Sequence, residues 1–82
     1  MNRSAVIEKA QEYFRAHHVK KPFRPGEDYV PVSGKVCDEE DLAYLIDASL
    51  DMWLTTGRFA KEFEEKLADF LGVRYALLTN SG

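Results

Sequence analysis

One cysteine, Cys37, is all the thiol chemistry in the 82 residues. A lone thiol forms no internal disulfide, so the chain suits a reducing compartment, and a cytoplasmic location is expected. No Cys-x-x-Cys occurs, and the two histidines, His17 and His18, are sequence neighbours. On a helix they diverge by about 100°, which prevents them from sharing a metal. Long apolar runs are missing as well. Nothing approaches the roughly 20 residues that span a bilayer, and Met1-Asn2-Arg3-Ser4 leads into a charged stretch rather than a signal-peptide core. Basic charge is not in excess: Lys and Arg number 11 against 14 Asp and Glu, a net charge of -3. Nucleic acid and anionic membranes therefore find no electrostatic encouragement, and the short patch Lys20-Lys21-Pro22-Phe23-Arg24 is too small to reverse that balance. Neither a Gly-x-Gly-x-x-Gly fingerprint nor a P-loop is present.

What is present is globular material, 45% hydrophobic and 12% aromatic, enough for one small domain whose burial is marginal at this length. Residues 4–19 have helical spacing, with Val6, Ala10, Tyr13, Phe14 and His17 recurring at steps of three and four. Pro22, Pro25, Gly26, Pro31 and Gly34 then break the pattern, and residues 20–37 are expected to form an extended arm. Asp38 is placed to cap a second helix, with Glu39, Glu40 and Asp41 at the positive end of its dipole. Leu42, Leu45, Ile46, Leu50 and Trp53 share its apolar face, and Thr55-Thr56-Gly57 ends it. A third helix starts near Arg58 with Phe59, Phe63, Leu67, Phe70 and Leu71 as its stripe, and Gly72 fits a left-handed cap. The two helices of residues 38–71 are expected to form a hairpin. Residues 73–79 are expected to form a strand; its continuous Leu77-Leu78 suits burial on both faces of a parallel sheet. That strand has no second strand to pair with, apart from the proline-broken arm, so the architecture is expected to be completed by residues after Gly82.

Two stretches are candidates for chemistry. Asn80-Ser81-Gly82 follows the expected strand in the way a phosphate-binding turn does, offering backbone N–H groups and a glycine that lets an anion approach closely. The same three residues also make an ordinary turn. Trp53-Leu54-Thr55-Thr56-Gly57-Arg58-Phe59 sets two hydroxyls, a glycine and an arginine between aromatic anchors, as a pocket or an interface needs. The simpler alternative is a junction between two helices with Thr56 as a cap. The acidic run 38–41 is helix-start chemistry rather than an acid–base pair, and Cys37 has no ligand companion.

Taken in order, "KPFRPG", "VPVSGKVCDEEDL" and "SLDMWLTTGRFAKEFEEKLADFLGVRYALLTNSG" carry a resemblance over about residues 13–82. The chain resembles the beginning of the DegT/StrS-type sugar aminotransferase family, of pyridoxal-phosphate fold type I. Within it, "PVSGKV" is most similar to the branch of pyridoxamine-dependent 3-dehydratases, which act on nucleotide-linked 4-keto-6-deoxyhexoses such as CDP-4-keto-6-deoxyglucose in lipopolysaccharide O-antigen biosynthesis. The resemblance implies an α/β parent fold, of which this part is mostly α: three helices plus a terminal strand. It divides the chain into an N-terminal helix (1–19), the arm (20–37) and the start of the cofactor-binding α/β domain (38–82).

The resemblance also implies roles. Gly82 offers a backbone N–H to the phosphate of pyridoxal or pyridoxamine phosphate, with Ser81 and Asn80 shaping the turn. Trp53, Thr55, Thr56 and Gly57 lie at a pocket or dimer contact, because family members are homodimers with active sites at the subunit boundary. The cofactor's amine condenses with the sugar's 4-keto group and its ring acts as electron sink while the 3-hydroxyl leaves. In the dehydratases a histidine replaces the lysine that anchors the cofactor in aminotransferases. Some members carry a 2Fe–2S cluster and work with a reductase partner. No catalytic residue is expected among these 82, so the chain alone is expected to be inactive, to bind no cofactor and to hold no metal. Two alternatives stay open: part of a pyridoxal-phosphate-dependent sugar aminotransferase, and a small helical interaction or dimerisation module.

Overall fold

Asn2 starts the first helix. In a computed structural model describing residues 1–82, its side-chain oxygen accepts the backbone N–H of Ala5 at 2.9 Å, satisfying one of the donors that every helix start leaves free. Helix α1 then runs over Arg3–His17 and closes with the His18 N–H donating to the carbonyl of Phe14 at 2.7 Å. The Tyr13 and His17 rings stack at 4.0 Å, and His18 tilts against Phe14 at 5.6 Å. Both histidines are thus engaged with aromatic neighbours one turn back, as the i, i+4 spacing dictates.

The chain divides into two compact units, Met1–Leu50 and Asp51–Gly82. In the first unit α1 packs against helix α2, Glu39–Leu50. The pairing is antiparallel, because ion pairs join opposite ends. Arg3 meets the Asp47 carboxylate at 2.6 Å, and Arg15 meets Glu39 at 2.7 Å. Between them Val6, Ile7, Ala10 and Phe14 of α1 and Leu42, Ala43 and Ile46 of α2 are half-buried, and none is fully enclosed. The face is turned slightly from the one the spacing predicts, towards Ile7 and away from Tyr13. The expected hairpin of the second and third helices does not describe the division of the chain: α2 belongs with α1, and α3 lies in the second unit.

The arm contains one built turn. Pro25 and left-handed Gly26 (φ 82°) hold the two central positions that a type II turn assigns to them, and the Glu27 N–H donates to the Arg24 carbonyl at 3.1 Å. Asp28 fastens it, accepting from the Arg24 backbone N–H at 2.8 Å and from its guanidinium at 3.1 Å. Those bonds hold its carboxyl below the usual carboxylate range. Helix α2 opens on a reciprocal cap: Asp38 accepts from the Asp41 N–H at 2.9 Å, while Asp41 accepts from the Asp38 N–H at 2.8 Å.

In the second unit helix α3 spans Arg58–Leu71 and ends on Gly72, left-handed at φ 69°. The Val73 N–H reaches the Ala68 carbonyl at 3.0 Å and the Gly72 N–H that of Asp69 at 3.2 Å, the paired bonds of a Schellman ending. Ala68 is the one buried side chain; Phe63, Phe70 and Leu71, on the stripe the spacing picks out, stay exposed.

The expected terminal strand is not formed. Residues 73–79 carry no ladder, and Tyr75 and Leu77 are more than four-fifths exposed. A strand is a statement about two backbones, and neither the proline-broken arm nor any other segment pairs with this one. The apolar, β-favouring composition is there; the partner is not. This part of the fold class is corrected to three helices followed by an unpaired segment.

Candidate functional site

Both candidate stretches belong to the second unit. After Leu50 the backbone turns left-handed at Met52 (φ 52°), so Trp53, placed by spacing on the second helix, lies beyond its end. The Trp53 indole N–H donates to the Thr56 carbonyl at 2.8 Å. Its Cδ1 lies 3.3 Å from the point where a Cβ on Gly57 would stand, so the glycine leaves room for the ring. Gly57 itself is the N-cap of α3 and makes no side-chain bond, which leaves the hydroxyls of Thr55 and Thr56 exposed rather than used as caps. Arg58 closes the loop by donating to the Asp51 carboxylate at 2.9 Å, with its guanidinium 4.1 Å from the Phe59 ring centre. The spacing therefore brings Trp53, Thr56 and Gly57 together as one small loop, with Thr55 presented beside them.

The second stretch is simpler. The Thr79 hydroxyl donates to the Ser81 carbonyl at 2.8 Å, and the Ser81 hydroxyl donates to the Asn80 side-chain oxygen at 3.4 Å. The backbone N–H groups of Asn80, Ser81 and Gly82 have no acceptor within the chain, all three residues are exposed, and space around Gly82 is open. Three successive free N–H groups with a hydroxyl beside them form a donor set suited to an anionic oxygen. No hydrogen bond joins this turn to the Trp53 loop.

Two residues escaped the sequence reasoning. Glu64, on the flank of α3 beside its apolar stripe, accepts the Leu78 N–H at 2.8 Å. Asp51 is the acceptor that shuts the Trp53 loop. For Asp51 the signal was opposite charge flanking a Thr-Thr-Gly turn. Glu64 gave none, because its partner is a backbone group.

Residues 35–82 match the DegT/DnrJ/EryC1/StrS aminotransferase family. The chain belongs to this family. Membership implies pyridoxal-phosphate fold type I, the α/β parent architecture. The family member is 44% identical over 80 residues to the lipopolysaccharide biosynthesis protein RfbH of Salmonella typhimurium, covering 98% of this chain and 18% of that protein. It is 34% identical over 77 residues to the dTDP-4-dehydro-2,6-dideoxy-D-glucose 3-dehydratase of Saccharopolyspora spinosa, covering 94% of this chain and 16% of the relative. The chain thus spans less than a fifth of the length of either. No helix is long and apolar enough to cross a membrane.

Proposed function

We propose that this family member forms the amino-terminal part of a pyridoxamine- or pyridoxal-phosphate-dependent 3-dehydratase that acts on a nucleotide-linked 4-keto-6-deoxyhexose in deoxysugar and lipopolysaccharide biosynthesis. One observation carries the choice of branch. The family match begins at residue 35, whereas the likeness to the Salmonella protein extends over nearly the whole chain, α1 and the arm included. The dehydratase likeness extends almost as far. The upstream residues are therefore shared with proteins named for lipopolysaccharide biosynthesis and sugar 3-dehydration, beyond what the broader family match covers.

The residues present fit the cofactor's phosphate. Asn80, Ser81 and Gly82 offer free backbone donors, and glycine keeps the approach open. In this proposal Gly82 and Ser81 donate to the phosphate and Asn80 holds the turn. When bound, the cofactor supplies the electron sink that lets the sugar's 3-hydroxyl depart. Trp53, Thr55, Thr56 and Gly57 line the substrate pocket or the boundary with a second subunit. The whole protein works as a cytoplasmic homodimer; any 2Fe–2S cluster and reductase contact draw on residues outside these 82.

The deciding experiment supplies the whole protein with pyridoxamine phosphate and a nucleotide-linked 4-keto-6-deoxyhexose and follows the sugar by NMR. Loss of the 3-hydroxyl supports a dehydratase. A new amine at C4 with the 3-hydroxyl intact overturns it in favour of the sugar aminotransferase reading, which the family's own description favours.

A further inference from the structure

Glu64 lies midway along α3, one turn before Ala68, on the side where α3 meets the residues that follow Gly72. Lys61, Glu64 and Ala68 form one wall of a groove of about 210 Å³, and Arg74, Tyr75 and Leu77 form the other. Across it the Glu64 carboxylate accepts the Leu78 N–H at 2.8 Å, joining positions 14 apart in sequence. Residues 73–79 carry no ladder, and the Glu64 carboxylate is the acceptor that the Leu78 amide finds. The bond is exposed but charge-assisted, which makes it stronger than a neutral surface bond. Leu78 is two residues from Asn80, where the free donors begin.

We infer that Glu64 is a positioning residue for the 80–82 turn: by holding the Leu78 amide it fixes where the N–H groups of Asn80, Ser81 and Gly82 stand relative to α3. The inference rests on the proposal that this turn binds the cofactor phosphate. A helix-borne acceptor restrains the backbone that leads into the donors, and displacement by about an ångström is enough to spoil a multidentate anion site. Neither the caps of α3 nor the contacts inside the turn supply that restraint, since they act before Arg74 or after Leu78.

The test compares Glu64→Ala and Glu64→Gln with the control Asp69→Ala, an exposed position of α3 outside the groove, in the whole protein. Two readouts are taken: hydrogen exchange at the Leu78 amide without cofactor, and pyridoxal phosphate affinity from its absorbance. Glu64→Ala is expected to speed exchange at Leu78 and weaken pyridoxal phosphate about tenfold. Glu64→Gln, whose amide oxygen still accepts, restores most of both, and Asp69→Ala moves neither. Glu64→Asp, one methylene shorter, repeats the comparison should the alanine variant not fold. Unchanged exchange overturns the inference, as does faster exchange with unchanged affinity, which leaves the cofactor proposal intact. Failure of the unaltered protein to bind pyridoxal phosphate at all overturns the cofactor proposal, and the positioning role with it.

Discussion

The Trp53 indole N–H donates to the Thr56 carbonyl at 2.8 Å while the ring edge stands 3.3 Å from the place of a Gly57 side chain. The two facts oppose any substituent on Gly57. Gly57→Ala must push the indole back by a few tenths of an ångström, and the exposed ring can swing to accommodate it. The expected result is a lengthened indole bond with a loss of about 1 kcal/mol or less, since exposed hydrogen bonds and alanine N-caps each contribute on that scale. The indole N–H resonance of the lone tryptophan reports it; an unshifted resonance with unchanged exchange refutes the account.

Gly72 permits a cleaner test. A Cβ there meets nothing within 4 Å, yet the backbone sits at φ 69°. Any cost of Gly72→Ala is therefore backbone strain alone. A loss of about 1 kcal/mol is expected in denaturant unfolding, with Gly72→Asn milder because asparagine tolerates the left-handed region. Equal stability of all three proteins would show that the Schellman ending contributes nothing.

These positions separate what was legible from what was not. Gly72 and Asp38 were readable because a cap is settled by residues within a turn of it. The extent of the second helix was not: Met52 adopts a left-handed conformation that nothing in its residue type announces, and Trp53 leaves the helical face as a result. Partner choice was equally hidden. Leu42 and Ile46 advertise an apolar stripe without saying what covers it, and the ion pairs from Arg3 and Arg15 tie it to α1. Residues 73–79 show the same limit. Their composition fits a buried strand, but pairing depends on a second backbone. For the candidate site, the spacing found Trp53, Thr56 and Gly57 as a cluster, while Glu64 was invisible because it binds an amide rather than a side chain.

Acid should weaken the start of α2. The Asp41 backbone N–H is the main cause that holds the Asp38 carboxyl below the usual range. Its folded value is depressed relative to the unfolded value of about 3.9, so the stabilisation is fully present above that value. It disappears as pH falls through the lower folded value. Circular dichroism from neutral pH downward should show helicity lost in that acid window, and Asp38→Asn, which keeps an acceptor without the charge, should flatten the loss. An identical acid profile in the two proteins counts against the cap as its source.

The antiparallel pairing of α1 and α2 should be only modestly electrostatic. Arg15 and Glu39 meet at 2.7 Å, but their side chains are 54% and 41% exposed. Exposed pairs couple by about 0.5 kcal/mol, and salt screens them over a Debye length. A double-mutant cycle with Arg15→Ala and Glu39→Ala should return a coupling of that order, shrinking in high salt. A coupling of several kcal/mol would mean that the pair, rather than Val6, Phe14, Leu42 and Ile46, holds the helices together.

The 80–82 turn presents donors, yet a donor set is not a binding site unless it is held. Ser81 and Asn80 contact each other and Thr79, and beyond them the nearest restraint is the single bond from Glu64 to Leu78. Ligand stabilisation follows the affinity of the folded form, so a loosely held turn yields little. Saturating pyridoxal phosphate is therefore expected to leave the thermal unfolding of residues 1–82 alone unchanged, while raising that of the whole protein by several degrees. Within the whole protein Ser81→Pro, which removes the backbone N–H offered to the phosphate, should reduce that rise, because a hydrogen bond to a charged group is lost, a change of about 1.5–3 kcal/mol. A rise of several degrees for residues 1–82 alone would show that these residues hold the phosphate without help.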